Sequence, residues 1–336
     1  MFYLFSLLTI PRFLQATLLL SLTLVFSTLS ATEAEQTQQP PFTYDTTPGT
    51  WDFIWDGIED VGTFIGRLDN EEYFSTMWLI AGSTILLVEY DQEIINESKR
   101  FATRLGLISD TTSGSETYIL ATPSWNGVDL PLRIPKGINP TLYYIGDGLT
   151  HFSIVGGLVG YGLYHNDNRA LNTAGQIMES LLVTGTFIQI LKRSTGRQSP
   201  FRATKDGGRW TAFPPMDVYN GDVSFYDAFP SGHIATAMAT TTVLAANYPD
   251  HPWIKPTGYT AMGLLMFAML NNEVHWASDY PLGIAIGWLA ADIAIERGKK
   301  KRRYAISGRK EHGLRLTSLL PYTNDEDFGF NLTFEF

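Results

Sequence analysis

The 336-residue chain has no cysteine. Neither a disulfide framework nor a thiolate metal site is therefore available. That absence leaves the compartment open, since exported proteins can do without disulfides. Charge is also scarce: 17% of residues are charged, and the net charge is −10. A surface of that sign repels nucleic acid, so this class of partner is excluded. Past the first thirty residues, long unbroken apolar runs are missing too. The apolar stretches are roughly 13–17 residues long, where a membrane span needs about 20. Glu179, Gln189 and Asp292 interrupt them. Such lengths predict core helices of a soluble bundle, with a membrane-embedded bundle as the alternative.

The chain begins "MFYLFSLLTIPRFLQATLLLSLTLVFSTLSATEAEQ", a cation followed by an apolar run and small residues. It reads as a signal peptide over 1–34, with an uncleaved anchor as the alternative. Losing it removes Arg12 and Glu33, so the net charge stays at −10. Residues 35–50 are rich in Gln, Thr and Pro and read as a flexible mature N-terminus. Helical spacing of apolar residues marks 51–68, 75–89, an exposed helix at 91–106, and segments near 141–164, 174–192, 232–247, 256–271 and 281–297. Residues 108–140 read as a connection, and 198–230 as a long polar loop of the kind that carries function. The basic run "RGKKKRR" (297–303) reads as a solvated helix end or a contact with anionic lipid. The tail, "HGLRLTSLLPY" and "FGFNLTFEF", alternates apolar and polar residues like two strands.

Chemistry concentrates in three places. In "YDAFPSGHIATAMAT", Pro230 stops the loop, Ser231 is an N-cap and Gly232 permits close backbone approach. His233 then falls in the first turn of a helix, whose free N–H groups and dipole suit a phosphate. In "NNEVHWASDYPLG", His275 precedes Asp279 by four residues, which on a helix puts them on one face. The carboxylate can then hold one ring nitrogen and leave the other as a base or nucleophile. "LKRSTGRQSPF" ends an apolar helix with Lys192 and Arg197, two cations able to clamp a phosphate.

In this order the segments resemble the PAP2 superfamily, which includes type 2 phosphatidic acid phosphatases, bacterial acid phosphatases and vanadium haloperoxidases. Its pattern is Lys-x6-Arg-Pro, then Pro-Ser-Gly-His, then Ser-Arg-x5-His-x3-Asp. The resemblance implies an all-α helical bundle of the acid phosphatase type, here with a short hairpin-like C-terminal tail. It also implies that His275 takes the phosphoryl group as a phosphohistidine, that Asp279 orients it, and that His233 protonates the leaving oxygen. Lys192, Arg197, Ser231 and Gly232 would bind phosphate, with no metal and no cofactor. The chain divides accordingly into the leader, the flexible segment, helical cover at 51–140, a catalytic core at 141–303 and C-terminal strands at 304–336.

Two positions depart from the pattern. Ser199 stands where an arginine precedes Pro200, and Met269, after Ala268, stands where the third motif has its arginine. A charge-assisted hydrogen bond contributes about 1.5–3 kcal/mol, so two uncompensated losses cost about two to four orders of magnitude in rate. Arg193, Arg197, Arg202 and Arg209 are near enough in sequence to compensate, and Glu273 has no assigned part. The expectation is an exported phosphatase of a bacterial periplasm or envelope, acting on phosphomonoesters or lipid phosphates and associated with the membrane. A phosphate-binding pseudoenzyme and a vanadate-dependent haloperoxidase are the alternatives.

Overall fold

The computed structural model describes residues 44, 47–68, 71–107, 117–125, 128–129, 132–135, 138–307, 315–323 and 328–335. The expected leader and most of the flexible segment lie outside the described residues. The helices are α1 (Asp52–Leu68), α2 (Glu71–Arg104), α3 (Ile138–Tyr144), α4 (Gly148–His165), α5 (Asn168–Thr195), α6 (Met216–Gly221), α7 (Gly232–Asn247), α8 (Ile254–Asn271) and α9 (Tyr280–Ser307). The fold is the expected all-α bundle.

α7 and α9 form its centre, with α5 packed on both. The close approach depends on glycine. A Cβ at Gly283 would stand 2.6 Å from the Ser231 carbonyl oxygen, and one at Gly287 would stand 2.1 Å from that of Ala235. One turn apart on α9, the two glycines let its backbone lie on the start of α7. Around this seam Ile234, Met238, Val243, Leu265, Met269 and Ile284 are buried. Each stabilises the fold by about 1.5–3 kcal/mol.

α2 corrects one expectation. Segments 75–89 and 91–106 form a single 34-residue helix, since no breaker separates them. Nor is its second half simply exposed: Leu87, Asp91, Ile94, Ile95 and Ala102 are buried in one stripe. The 117–135 connection holds β1 (Thr117–Ala121) paired with β4 (Leu132–Pro135), and β2 (Ser124–Trp125) paired with β3 (Val128–Asp129). The tail forms the expected antiparallel hairpin of β5 (Arg315–Thr323) and β6 (Phe328–Glu335).

The basic run is partly structural. Arg297 pairs with Asp60 at 2.6 Å and Glu59 at 2.7 Å, and Lys301 with Asp56 at 2.5 Å, tying α9 to α1. Among the described residues one helix, α5, is long and apolar enough to cross a membrane. Its most apolar stretch is 44% buried inside the bundle, and Glu179 lies among its buried residues.

Candidate active site

Three chain turns meet at one end of α7 and α9. The first follows α5. Gly196 caps that helix in the left-handed conformation at φ 54°, and its N–H donates to the Lys192 carbonyl. The site also needs glycine for space, because a Cβ would lie 1.9 Å from the Thr211 carbonyl oxygen. Lys192, buried in the last turn, extends Nζ to within 3.5 Å of Asp227 Oδ2. The second turn is the Pro230–His233 corner. Ser231 is the N-cap of α7 in extended conformation, and its side chain accepts from the Ile234 N–H. The third follows α8: Glu273 turns the chain at φ 54°, and the 3-10 turn Ala277–Asp279 leads into α9.

The imidazoles of His233 and His275 meet edge-on, 70° between their planes, with ring centroids 6.0 Å apart. His275 is buried, and its Nδ1 lies 3.2 Å from Asp279 Oδ2. The same oxygen accepts from the Trp276 N–H at 2.8 Å. The pair therefore meets across a 3-10 turn, not along one helix face as the spacing suggested. Trp276 is extended, and the Asp279 carboxylate caps the turn in place of a helical hydrogen bond. With Nδ1 held, Nε2 is the ring nitrogen left clear of Asp279.

His233 is half-buried at the start of α7, its ring 4.6 Å from that of Tyr143 on α3. Burial holds its pKa well below the ordinary 6.5, helped by the neighbouring His275, Lys192 and His151. His151, on α4, lies behind it and is itself buried, with Nδ1 2.9 Å from the Thr240 hydroxyl. Burial pushes the His151 pKa down to about 4.

Two of the residues expected to grip phosphate are engaged elsewhere. Arg197 is fully buried. Its Nη1 donates to Asp279 Oδ1 and to the Ser278 hydroxyl, both at 2.6 Å. Its Nη2 donates to Asp91 Oδ2 at 2.6 Å and to the Gly207 carbonyl at 3.0 Å. Trp210 and Trp276 rings cover it. The Ser231 N–H donates to the Asp279 carbonyl at 3.0 Å, which takes it out of the set of phosphate donors. Gly232 and His233, in the first helical turn, have N–H groups that the helix geometry leaves without an i−4 acceptor.

The departures from the motif pattern are sealed. Met269 is fully buried, with Sδ 3.9 Å from the Ser231 hydroxyl, and Ser199 is buried as well. Two of the nearby arginines are occupied: Arg193 on Gln189 and over the Tyr219 ring, Arg202 on Asp222. Glu273, unassigned from sequence, pairs with Lys99 of α2 at 3.0 Å. Among the described residues no group of three or more His, Asp or Glu is placed to hold a metal ion.

Sequence reasoning missed Tyr143, His151, Asp227 and Asp91. Only Asp91 left a signal, a carboxylate inside an apolar helical stripe.

Residues 173–303 match the family model described as the PAP2 superfamily. Over that segment the chain is similar to the PAP2 superfamily. The segment contains Lys192, the Pro230–His233 corner and the His275–Asp279 pair, so the matched residues carry all three turns of the site. A lipid A 1-phosphatase of Porphyromonas gingivalis is 37% identical over 68 residues. That match covers 20% of this chain and 15% of the relative's length. No solved structure matches the chain.

Proposed function

We propose that the chain is an exported phosphatase of the bacterial envelope that hydrolyses lipid phosphates or other phosphomonoesters through a phosphohistidine. The observation that carries the reading is the His275–Asp279 pair opposite His233 at the N-terminus of α7. His275 Nε2 attacks phosphorus while the Nδ1 proton stays with the Asp279 carboxylate. The P–O bond to the leaving group breaks, and His233 supplies the proton to that oxygen. In the second half, His233 takes a proton from water, which attacks the phosphohistidine and releases inorganic phosphate.

Lys192 and the Gly232 and His233 N–H groups stabilise the charge that develops on the equatorial oxygens. Phosphate displaces Asp227 from Lys192, a weak contact at 3.5 Å. Arg197 acts behind Asp279. The lipid substrate is supported by the Porphyromonas relative's activity and by an apolar rim beside Lys192. In that rim Ile190, Phe213 and Met216 are exposed, at 54%, 76% and 52%. Residues 141–303 are the catalytic core in this reading, and 51–140 its helical cover.

A second reading is favoured by one observation. Met269 fills a family arginine's position and packs on Ser231, as in a scaffold that binds phosphate without turning it over.

The deciding measurement is phosphate release from para-nitrophenyl phosphate and a short-chain phosphatidic acid, with His275→Ala beside the wild type. Turnover inhibited by vanadate and lost in His275→Ala is the expected result. Turnover that survives the substitution removes His275 as nucleophile. Phosphate binding with no turnover establishes the second reading.

A further inference from the structure

A fully buried carboxylate persists only where it is paired and hydrogen-bonded. Asp91, on α2 and outside the PAP2-matched segment, is both. Its Oδ1 accepts from the Ser278 N–H at 3.0 Å, and its Oδ2 accepts from the Ser278 hydroxyl at 2.5 Å and from Arg197 Nη2 at 2.6 Å. Arg197 Nη1 returns to the Ser278 hydroxyl and to Asp279 Oδ1. The contacts thus run from His275 to Asp279 to Arg197 to Asp91, and close through Ser278, the residue before Asp279. Asp91, Arg197, Ser278 and Asp279 are all 0% exposed.

The charges matter as much as the geometry. If Arg197 faced Asp279 alone, it would neutralise the carboxylate that supports the His275 ring. Away from water that effect is large. A second carboxylate on the same guanidinium leaves the group with one net negative charge. That charge favours the positive ring that forms as His275 takes a phosphoryl group.

We propose that Asp91 is a positioning residue of the catalytic centre, acting through Arg197 and Ser278 to hold Asp279 against His275. The proposal rests on the reading of His275 as nucleophile. The other groups around His275 are His233 on α7, Lys192 on α5 with Asp227 of the loop, His151 of α4 behind His233, and Glu273, which is paired with Lys99. Burial and the Asp279 charge push the Asp91 carboxyl up to about 6. It therefore bears its charge at neutral pH.

The test is ring-proton NMR of the full chain, which has six histidines, with His275→Gln assigning the His275 Nδ1–H signal. Wild type and Asp91→Asn are compared at neutral pH, beside their kinetics. In Asp91→Asn the His275 Nδ1–H resonance is expected to move upfield and broaden as its bond to Asp279 loosens. At neutral pH kcat is expected to drop about tenfold, with KM changed less than about twofold. A folded Asp91→Asn chain with an unmoved His275 Nδ1–H resonance overturns the proposal, even if its thermal stability has dropped. Should Asp91→Asn not fold, Asp91→Ser, smaller and able to keep a bond to Ser278, carries the same measurement with the same expected sign. If the wild type hydrolyses nothing, the phosphatase reading fails, and the resonance still decides the part played by Asp91.

Discussion

Arg197 stands two residues before Ser199, and its spacing suggested a replacement for the missing arginine's grip on phosphate. Its surroundings direct it elsewhere. Four of its N–H hydrogens go to Asp279, Ser278, Asp91 and Gly207, and two indoles cover the rest. Sequence shows which residue types are near the site, but not which way a side chain turns from a left-handed cap. His233 is the residue whose protonation state matters most. As the proposed leaving-group acid it must hold a proton, yet burial holds its pKa well below 6.5, so above that lowered value the competent fraction of free enzyme falls tenfold per pH unit. For a substrate of constant charge, kcat/KM is expected to decline steadily as pH rises through neutrality. His233→Gln should flatten that limb and cut the rate about 10²–10⁴-fold. A profile that climbs toward alkaline pH would count against His233 as the acid.

Helix existence and rough bounds were legible because apolar periodicity needs only the chain itself. α7, for example, spans Gly232–Asn247, the same residues that the spacing marks. The motifs fixed which turns carry chemistry for the same reason. Less was legible wherever two distant segments meet. The 3-10 turn under Asp279 and the Asp91 brace depend on contacts between α2 and α9's entry, which no local pattern encodes. The seam between α7 and α9 is another such case. Gly287 looks like a weak point in a helix, yet it is where two backbones touch. Gly287→Ala should gain intrinsic helix propensity of about 1 kcal/mol. It should still destabilise the protein, because overpacking at 2.1 Å forces α7 away at a cost of about 1–3 kcal/mol or more. Thermal unfolding of the variant checks the sign. A rise in midpoint would mean the seam has slack.

At the scale of the whole molecule, acid stability is set by buried titrating groups of opposite sign. His151 has its folded pKa lowered from 6.5 to about 4. The unfolded chain therefore binds the proton first, and stability is lost as pH falls through that window, by about 3 kcal/mol. Asp91, raised to about 6, works the other way and is more stably folded when protonated. The two partly cancel between pH 4 and 6, so the wild-type curve alone hides both. Comparison with His151→Gln separates them. Between pH 7 and 4 the wild type should lose about 3 kcal/mol relative to that variant, measured by urea unfolding at each pH. A constant gap between the two curves would show that His151 is not held neutral by the fold.

The bond from the Ser231 N–H to the Asp279 carbonyl joins the turn that carries one histidine to the turn that carries the other. Its amide hydrogen can be traded with deuterated solvent only when those turns separate. The exchange clock of this one amide therefore times how often the two halves of the catalytic centre come apart, and it does so whether or not a substrate has yet been found.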